Sequence, residues 1–506
     1  MSTNQKELTA EQAAEELRTT TLLQKIAELG GQGMKDDDIV YEGTKLVLPS
    51  RWRGTLDDAI NYLVTKRDEE DETSNFSRTY NFRPWDGAYN AIQAMKKAFG
   101  MVAGKTTYSF FGKSSPSYIQ VPVGVSETVE VPWGEFTVPF LKNTTFSFGA
   151  TKNADFGTIF RMNVTSPRKN KAVIEGLFKL VDEELEKGSI YRGKAIDGQE
   201  HPQFLDLRGF DPAKVVYSEQ VQSDLDAHLL GVLRYSDANR ELGLSLKRSI
   251  LLTGPYGTGK TLAGFRTAKE AVDFGWTFIM ARPGRDNFAD VMQTARLYQP
   301  AVVFMEDADT IASADDDYIS KLLDIFDGIQ AKNTDLVVVL TTNHPEFLHK
   351  GMMRPGRLDA IIEIGALDGA GIERLMRSSI DAKRFDKDID FAPVVTACEG
   401  YMPAFVKEAA DRAVRYALAR SGGNIGNYLI TTEDLVHASA GLRSQFERMQ
   451  GAPEHADKDA FVEGLTSIVE GANVRTLARV TADSDDARED VWNLTEIRKV
   501  QNELTS

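Results

Sequence analysis

The sequence predicts an α/β domain built on a parallel sheet, followed by a helical lid and preceded by an α+β N-terminal region. Three observations predict this fold class. From about residue 201, strand-like and helix-like segments alternate, which is typical of a parallel sheet with helices on both faces. A glycine-rich stretch, residues 254–261, joins an apolar run to a helical pattern. Two more apolar runs end in polar side chains, at Glu306 and at Thr341.

Composition indicates an ordinary folded protein. The chain has 506 residues, of which 42% are hydrophobic and 26% charged, enough for about three domains. Its net charge of −16 weighs against a broad nucleic-acid surface, although a local basic loop stays possible. The single cysteine, Cys398, excludes an internal disulfide and suits a reducing compartment. With no signal-peptide pattern at the start and no apolar run of membrane-spanning length, we expect a cytoplasmic protein without membrane contact.

The first predicted region, residues 1–103, is helical. Thr55-Leu-Asp-Asp58 forms a capping-box pattern at the start of one helix. The charge run at 66–72 is expected to end that helix as a solvated loop. A second helix is predicted over 84–99, with Pro84 in its first turn.

The second predicted region, residues 104–200, is β-rich. Segments between 104 and 165 alternate or favour β-forming residues, with Gly and Pro between them, so a small antiparallel sheet is predicted. A helix over 168–187 follows, because Ile174, Leu177 and Val181 recur at helical spacing. This region could be a receptor for a substrate or an adaptor that only spaces the rest, and the sequence does not separate the two.

Residues 254–261 match Gly-x-x-x-x-Gly-Lys-[Ser/Thr] at every fixed position, between a buried strand and a helix. Glycines at these positions let consecutive N–H groups turn toward phosphate oxygens. Lys260 would reach the β- and γ-phosphates, and the Thr261 hydroxyl would bind Mg²⁺. The loop predicts that a nucleoside triphosphate is bound by Gly254, Pro255, Tyr256, Gly257, Thr258, Gly259, Lys260, Thr261 and Leu262.

A pair of carboxylates follows the apolar run at 301–305. Glu306 and Asp307 stand at the carboxyl end of a predicted buried strand, where open α/β sheets bind ligands. Such carboxylates hold Mg²⁺ or act on the attacking water in nucleoside triphosphatases. One of these acids could instead cap the next helix.

Two further polar blocks suit phosphate chemistry. Asn343 follows the apolar run at 336–340, and its amide can orient a water molecule without changing charge. Arg354 and Arg357 flank a Pro-Gly turn. Their planar guanidinium groups could stabilise a phosphoryl transition state, in the same chain or from a neighbouring subunit, or the turn could be a plain surface loop.

In this order, the four blocks resemble the AAA family of ring-forming ATPases, over roughly residues 205–420. The resemblance implies an α/β P-loop NTPase (AAA) domain with a helical lid, preceded by the α+β N-terminal region. It places the nucleotide-binding domain at 201–366 and the lid at 367–450, while composition alone predicts a polar tail at 451–506. It also implies ATP and Mg²⁺ as cofactors and a homo-oligomeric ring of six or seven copies.

Roles for single residues follow from the same resemblance. Lys260 and Thr261 bind phosphate and Mg²⁺, and Asn343 acts as the sensor. Arg354 and Arg357 act as arginine fingers that reach into the adjacent protomer. Within residues 214–217, Val216 and Tyr217 line the adenine, opposite the start of the lid at 402–404.

Departures from the usual pattern are similar to the mitochondrial Rieske-protein translocase subfamily, whose members move folded clients. Glu306-Asp307 stands where most AAA proteins carry Asp-Glu, and His344 follows the sensor. A shortened loop, 281–285, replaces the aromatic pore loop of protein-threading members. The swapped acids imply that Glu306 approaches Mg²⁺ with one extra methylene and that Asp307 is a shorter base. Such a displacement can cost about 100-fold in rate, yet we expect an active enzyme.

The expected function is therefore a ring-forming Mg-ATPase that remodels or translocates a protein client without an aromatic pore loop. Two other functions stay open. A nucleic-acid motor or loader would use Arg282 and Arg285 to bring positive charge to a central channel. Solvated side chains on a turn are the simpler interpretation of these arginines. An assembly scaffold with slow hydrolysis would require the acids at 306–307 to be displaced from their working positions.

Overall fold

A computed structural model describes residues 40–42, 45–48, 53–100, 103–104, 107–109, 112–114, 117–138, 141–282, 284–308, 335–347 and 358–451. The chain divides into two compact units, Met1–Val436 and His437–Ser506. The predicted arginine fingers, Arg354 and Arg357, and the tail from residue 452 onward lie outside the described residues. Within the part that the structure describes, no helix combines the length and the apolar character needed to cross a bilayer.

The N-terminal region contains an antiparallel sheet covered by helices. Its strand order is β3–β10–β9–β8–β4, with β7 also paired to β8. The strands are β3 (Thr73–Tyr80), β4 (Ala103–Gly104), β7 (Ser117–Pro122), β8 (Thr128–Thr137), β9 (Thr145–Asn153) and β10 (Gly157–Pro167). Two hairpins lie outside this sheet: β1 (Val40–Glu42) with β2 (Lys45–Val47), and β5 (Thr107–Ser109) with β6 (Gly112–Ser114). The helices are α1 (Leu56–Asp71), α2 (Pro84–Phe99) and α3 (Lys171–Gly188), the last preceded by a 3₁₀ turn at Arg168–Asn170.

Several predictions for this region are confirmed. Helix α2 has the predicted bounds, and the Thr55–Asp58 capping box is present at the start of α1. The predicted inner face of α3 is fully or almost fully buried, at Ile174, Leu177, Phe178, Val181 and Leu185. These side chains pack in one core with the aromatic residues of the sheet, including Phe146, Phe148 and Phe160.

Two expectations for the region are wrong. The charge run at 66–72 is not a loop, because α1 continues through Asp71. The sheet also begins earlier than residue 104, since β3 pairs along its whole length with β10. Strand β3 has no clear apolar pattern in the sequence, because Ser, Thr and Asn occupy its solvent side and Tyr80 is the one residue of the strand that is buried.

The second sheet is parallel throughout, in the order β11–β13–β14–β15–β12–β16. Its strands are β11 (Ala195–Asp197), β12 (Arg248–Thr253), β13 (Thr277–Ala281), β14 (Ala301–Met305), β15 (Leu336–Thr342) and β16 (Ala360–Glu363). The predicted apolar strands before Gly254, Glu306 and Thr341 are all present. Because β12, β14 and β15 are neighbours, their polar carboxyl ends meet at one edge. Strand β11 joins this sheet although it precedes residue 201, where the sequence places the start of the domain.

Helices cover both faces of the parallel sheet and continue into the lid. Those of the sheet region are α4 (Glu219–Leu225), a π-helical turn (Asp226–Leu230), α5 (Gly231–Arg234), α6 (Ser236–Glu241), α7 (Lys260–Asp273) and α8 (Phe288–Leu297). Those of the lid are α9 (Gly369–Ser379), α10 (Ala392–Ala397), α11 (Pro403–Arg420) and α12 (Thr432–Ala440). Short 3₁₀ turns occur at Pro212–Lys214, Pro345–Phe347 and Ala382–Arg384. The His437–Ser506 unit contributes helix α13 (Arg443–Gly451).

The two faces of the parallel sheet belong to different cores. One face, with Ile279 and Val303, shares a continuous hydrophobic core with helix α8 and the N-terminal sheet. The other face, with Phe278 and Phe304, packs against helix α7 and the segment that precedes β12. The N-terminal region and the parallel sheet are therefore joined by shared apolar packing.

Candidate active site

A cavity of about 780 Å³ lies at the carboxyl edge of the parallel sheet. Four parts of the chain enclose it: the loop after β12, the segment 209–217, the ends of β14 and β15, and the lid. Its lining residues include Lys214, Val215, Val216, Tyr217, Tyr256, Gly257, Thr258, Gly259, Lys260, Thr261, Leu262, Asp307, Thr341, Asn343, Leu375, Ser378, Ser379, Pro403, Ala404 and Lys407. Open α/β sheets bind ligands at this edge.

The loop after β12 needs glycine at the motif's first and last glycine positions. Gly254 has φ +148°, and a Cβ there would lie 2.1 Å from the carbonyl oxygen of Ile364. Gly259 has φ +96° and caps helix α7 in the left-handed conformation. Other residues adopt such backbone angles only with strain. The loop is thus held in a shape that leaves the first N–H groups of α7 available to an anion.

Lys260 begins helix α7 and folds back over the loop. Its side chain is almost fully buried, and Nζ donates to the carbonyl oxygens of Gly254 at 2.5 Å and Pro255 at 2.9 Å. The positive charge is therefore kept inside the loop, beside the space that a phosphate would enter. Thr261 follows in the first turn of α7 and also lines the cavity.

The two acids after β14 lie in different surroundings. Asp307 lines the cavity, and its Oδ1 accepts from Asn343 Nδ2 at 3.2 Å. Its backbone is left-handed, with φ +48°, and its N–H donates to Thr341 Oγ1 at 3.1 Å. Glu306 is not among the lining residues, and its Oε2 lies 3.9 Å from Arg282 Nε. The catalytic and metal roles predicted for Glu306 stay predictions.

The cavity fits a nucleotide and Mg²⁺ in its shape and donor groups. Gly257 lines the cavity, and a Cβ there would meet Ala404 Cβ of the lid at 3.0 Å, so the glycine keeps this side of the cradle open. Over the described ranges, no group of three or more His, Cys, Asp or Glu could hold a metal alone. Mg²⁺ suits such a site, because it is usually held by one or two protein oxygens together with phosphates and water. Thr261 offers one such oxygen in the cavity.

The segment 214–217 faces the start of the lid across the cavity. Val216 and Tyr217 both line it, and the Tyr217 hydroxyl donates to the Gly259 carbonyl oxygen at 3.0 Å. On the opposite side, Ala404 N–H donates to the Gly257 carbonyl oxygen at 3.1 Å. The geometry brings together the parts that the sequence places around adenine, and the adenine contacts themselves stay a prediction.

One lid cation is not among the residues predicted from the sequence. Lys407 lines the cavity from the second turn of helix α11, and its Nζ pairs with Asp411 Oδ2 at 2.9 Å. The lid residues predicted to face the nucleotide, 402–404, carry no charged side chain. Lys407 lies three residues after Ala404, so helical spacing from the predicted lid start could have located it.

The arginines of the shortened loop have carboxylate partners. Arg285 Nη2 lies 3.1 Å from Asp197 Oδ2, and Arg282 is the neighbour of Glu306 described above. His344, which follows the predicted sensor, has Nδ1 3.0 Å from Glu346 Oε1. A channel-facing role for the arginines stays a prediction, and their ion pairs give them a structural one.

Residues 250–366 match the family model described as ATPase family associated with various cellular activities (AAA). The chain is 28% identical over 247 residues to ATP-dependent zinc metalloprotease FtsH 2 of Symbiobacterium thermophilum, covering 45% of this chain and 40% of that protein. It is 30% identical over 260 residues to ATP-dependent zinc metalloprotease FtsH of Acidothermus cellulolyticus, a match that covers 47% of this chain and 37% of that protein.

A third relative is the Cell division cycle protein 48 homolog of Archaeoglobus fulgidus, 26% identical over 233 residues. That match covers 41% of this chain and 32% of the relative. The chain thus spans well under half the length of these curated relatives. The matched residues 250–366 therefore form a domain of the AAA type, and AAA ATPase domains use ATP with Mg²⁺.

Proposed function

Because residues 250–366 form an AAA ATPase domain, we propose that this protein is a ring-forming Mg-ATPase that remodels or translocates a protein client. One observation carries the ATPase part of the proposal. The phosphate loop, the Asp307–Asn343 pair and the lid meet around a single cavity. These are the groups needed to bind a triphosphate and to act on a water molecule beside it.

The proposed mechanism assigns each step to side chains of this cavity. Lys260 exchanges the carbonyl oxygens of Gly254 and Pro255 for phosphate oxygens when ATP binds. Asp307 accepts the proton of the attacking water, and Asn343 orients that water together with the carboxylate. Mg²⁺, when bound, neutralises charge on the phosphate oxygens. Thr261 would hold the metal from the helix. Glu306, which does not line the cavity, would have to turn away from Arg282 to reach the metal from the strand end.

The ring part of the proposal concerns the cations around the cavity. Among the described residues that line it, these are Lys214, Lys260 and Lys407, and none is an arginine. An arginine from a neighbouring copy would complete the charge stabilisation, and Arg357 is proposed for this role together with Arg354. Arginine fingers of this kind accelerate hydrolysis by about 10³–10⁵-fold.

A protein client is supported by the relatives and by the loop 281–285. One relative carries the name of a cell division cycle protein and others are named proteases. The short, ion-paired loop suits a folded client better than a threaded chain, which is the basis for proposing the Rieske-translocase-like subfamily. We further propose a cytoplasmic location and no membrane contact. A nucleic-acid motor would instead show ATP hydrolysis stimulated several-fold by DNA and lost in Arg282→Ala/Arg285→Ala.

Complementation between two inactive variants tests the function directly. Arg357→Ala should bind ATP like the wild type but lose turnover, while Lys260→Ala should lose binding. Copies of the two variants mixed in one ring should regain part of the phosphate release, because Arg357 of a Lys260→Ala copy can complete the ATP site of a neighbouring Arg357→Ala copy. Arg415→Ala, an exposed lid arginine paired with Glu408, is the matched control and should retain full turnover.

Mass photometry with ATP should show six or seven copies. A persistent monomer, or an Arg357→Ala variant with full activity, would contradict the shared site.

A further inference from the structure

We propose that Tyr217 is a positioning residue that links the lid to the phosphate loop, so that its hydroxyl supports phosphate binding more than base binding. The inference rests on the proposed function, because it deepens the role of the same cavity. It differs from the adenine contact predicted from the sequence, which would use the ring of Tyr217 and not its hydroxyl.

The hydroxyl fixes one peptide group of the phosphate loop. Tyr217 is almost fully buried, and its Oη donates to the Gly259 carbonyl oxygen at 3.0 Å. That carbonyl also accepts the first helical hydrogen bond, from Ala263 N–H at 3.0 Å. Burial raises the pKa of Tyr217 above its ordinary value, so the hydroxyl remains a donor at neutral pH.

Fixing this carbonyl also fixes the N–H of Lys260. The two groups belong to one planar trans peptide and point in opposite directions. Gly259 has φ +96° and no side chain, so sterics alone leave this peptide free to rotate. A second hydrogen bond on its carbonyl therefore reduces the freedom of the amide that would meet phosphate.

The other end of the link lies in the lid. Arg374 of helix α9 donates from Nη2 to the Tyr217 carbonyl oxygen at 3.0 Å. Two residues on, Glu219 N–H donates to Asp368 Oδ2 at 3.0 Å, and Asp368 caps the same helix.

The next turns of α9 place Leu375, Ser378 and Ser379 on the cavity wall. A lid that moves on nucleotide binding would therefore shift Tyr217 and, through its hydroxyl, the loop.

The test removes one oxygen atom. Tyr217→Phe keeps the buried ring and deletes the hydroxyl. Tyr80→Phe is the matched control, because Tyr80 of β3 is also a buried tyrosine whose hydroxyl donates to a carbonyl oxygen, that of Phe178 in α3 at 3.5 Å. Dissociation constants are measured for ATP and ADP with Mg²⁺ by calorimetry, and for adenosine by ligand-observed NMR.

We expect Tyr217→Phe to weaken the binding of ATP and ADP about two- to tenfold, the effect of one lost hydrogen bond, and to leave the affinity for adenosine unchanged. Tyr80→Phe should change none of the three. An equal loss of adenosine affinity, or unchanged affinity for all three ligands, would overturn the positioning role while leaving the ATP site intact. Failure of the wild type to bind ATP would instead overturn the proposed function.

A second variant covers the case in which Tyr217→Phe does not fold. Arg374→Ala breaks the link from the exposed lid side and leaves the buried ring in place. Arg374→Ala should also weaken the binding of ATP and ADP and leave that of adenosine unchanged. Arg377→Ala, on the same helix and paired with Glu373, should change the binding of none of the three. Unchanged ATP and ADP affinity in Arg374→Ala would overturn the link to the lid.

Discussion

At the scale of single residues, Asp307 is the most informative position of the cavity. A non-glycine residue with φ +48° is uncommon, and such backbone strain costs on the order of 1–3 kcal/mol. Hydrogen bonds from Asp307 N–H to Thr341 Oγ1 and from Ala308 N–H to the Thr341 carbonyl oxygen hold it there. Strain that persists at a cavity wall, next to Asn343, favours a functional role for this carboxylate.

Asp307→Asn should lower ATP turnover by about 100-fold or more, because removal of a general base typically costs 10²–10⁴-fold. ATP affinity should stay within about threefold, since Lys260 and the loop amides are untouched. Phosphate release and calorimetric binding measure the two quantities. Asp273→Asn, an exposed helix residue paired with Lys269, should change neither. Turnover within tenfold of the wild type would exclude Asp307 as the base.

At the scale of elements, a buried polar network joins helix α2 to helix α8 and the end of α3. Arg83, almost fully buried, donates to the Thr158 and Asp290 carbonyl oxygens and to the Thr294 hydroxyl. Asp86 accepts from Asn90, from Ser189 at 2.6 Å and from Ile190 N–H at 2.9 Å. Burial is the main reason that the pKa of Asp86 rises to about 6. The network therefore holds a carboxyl group whose charge is costly in the folded state.

The stability of the protein should depend on pH through Asp86. Its folded pKa lies above its unfolded value of about 4, so the folded state binds the proton more tightly between these values. The group's contribution is most favourable below pH 4 and falls as pH rises to 6, by on the order of 3 kcal/mol.

Asp86→Asn removes this dependence. As pH rises from 4 to 6, the urea midpoint of the wild type should therefore fall relative to that of the variant. Parallel midpoint curves would contradict the buried charge.

At the scale of the whole molecule, the N-terminal region and the parallel sheet share one core. Side chains of β10, such as Phe160 and Met162, belong to the same cluster as Val291 of helix α8 and Val303 of β14. Strand β11 continues the parallel sheet from a position before residue 201. Nucleotide-dependent changes at β14 would therefore meet the N-terminal region through direct packing.

A fragment of residues 201–450 should be less stable than one of residues 53–450, because it lacks β11 and exposes the apolar side of α8. The longer fragment should unfold in one calorimetric transition, and the shorter one should bind a hydrophobic dye and melt lower or aggregate. Two separate transitions in the longer fragment, or equal melting temperatures, would show that the shared core contributes little to cooperativity.

Features that neighbouring residues determine could be predicted from the sequence. The phosphate loop depends on glycines within one stretch, and the buried strands that precede this loop, Glu306 and Thr341 are each an apolar run. Contacts between distant parts of the chain, such as Tyr217 with Gly259 or Asp307 with Asn343, could not be predicted. Strand β11 has three residues and β3 has a polar face, so neither carries enough apolar pattern to be recognised.

The most direct test of the ATP site compares two lysines of helix α7. Lys260→Ala removes the buried cation of the loop, whereas Lys269→Ala removes an exposed one that pairs with Asp273. Calorimetric titration with ATP and Mg²⁺ should show binding by the wild type and by Lys269→Ala, and no measurable binding by Lys260→Ala. Equal ATP affinity in all three proteins would contradict a triphosphate site at this loop.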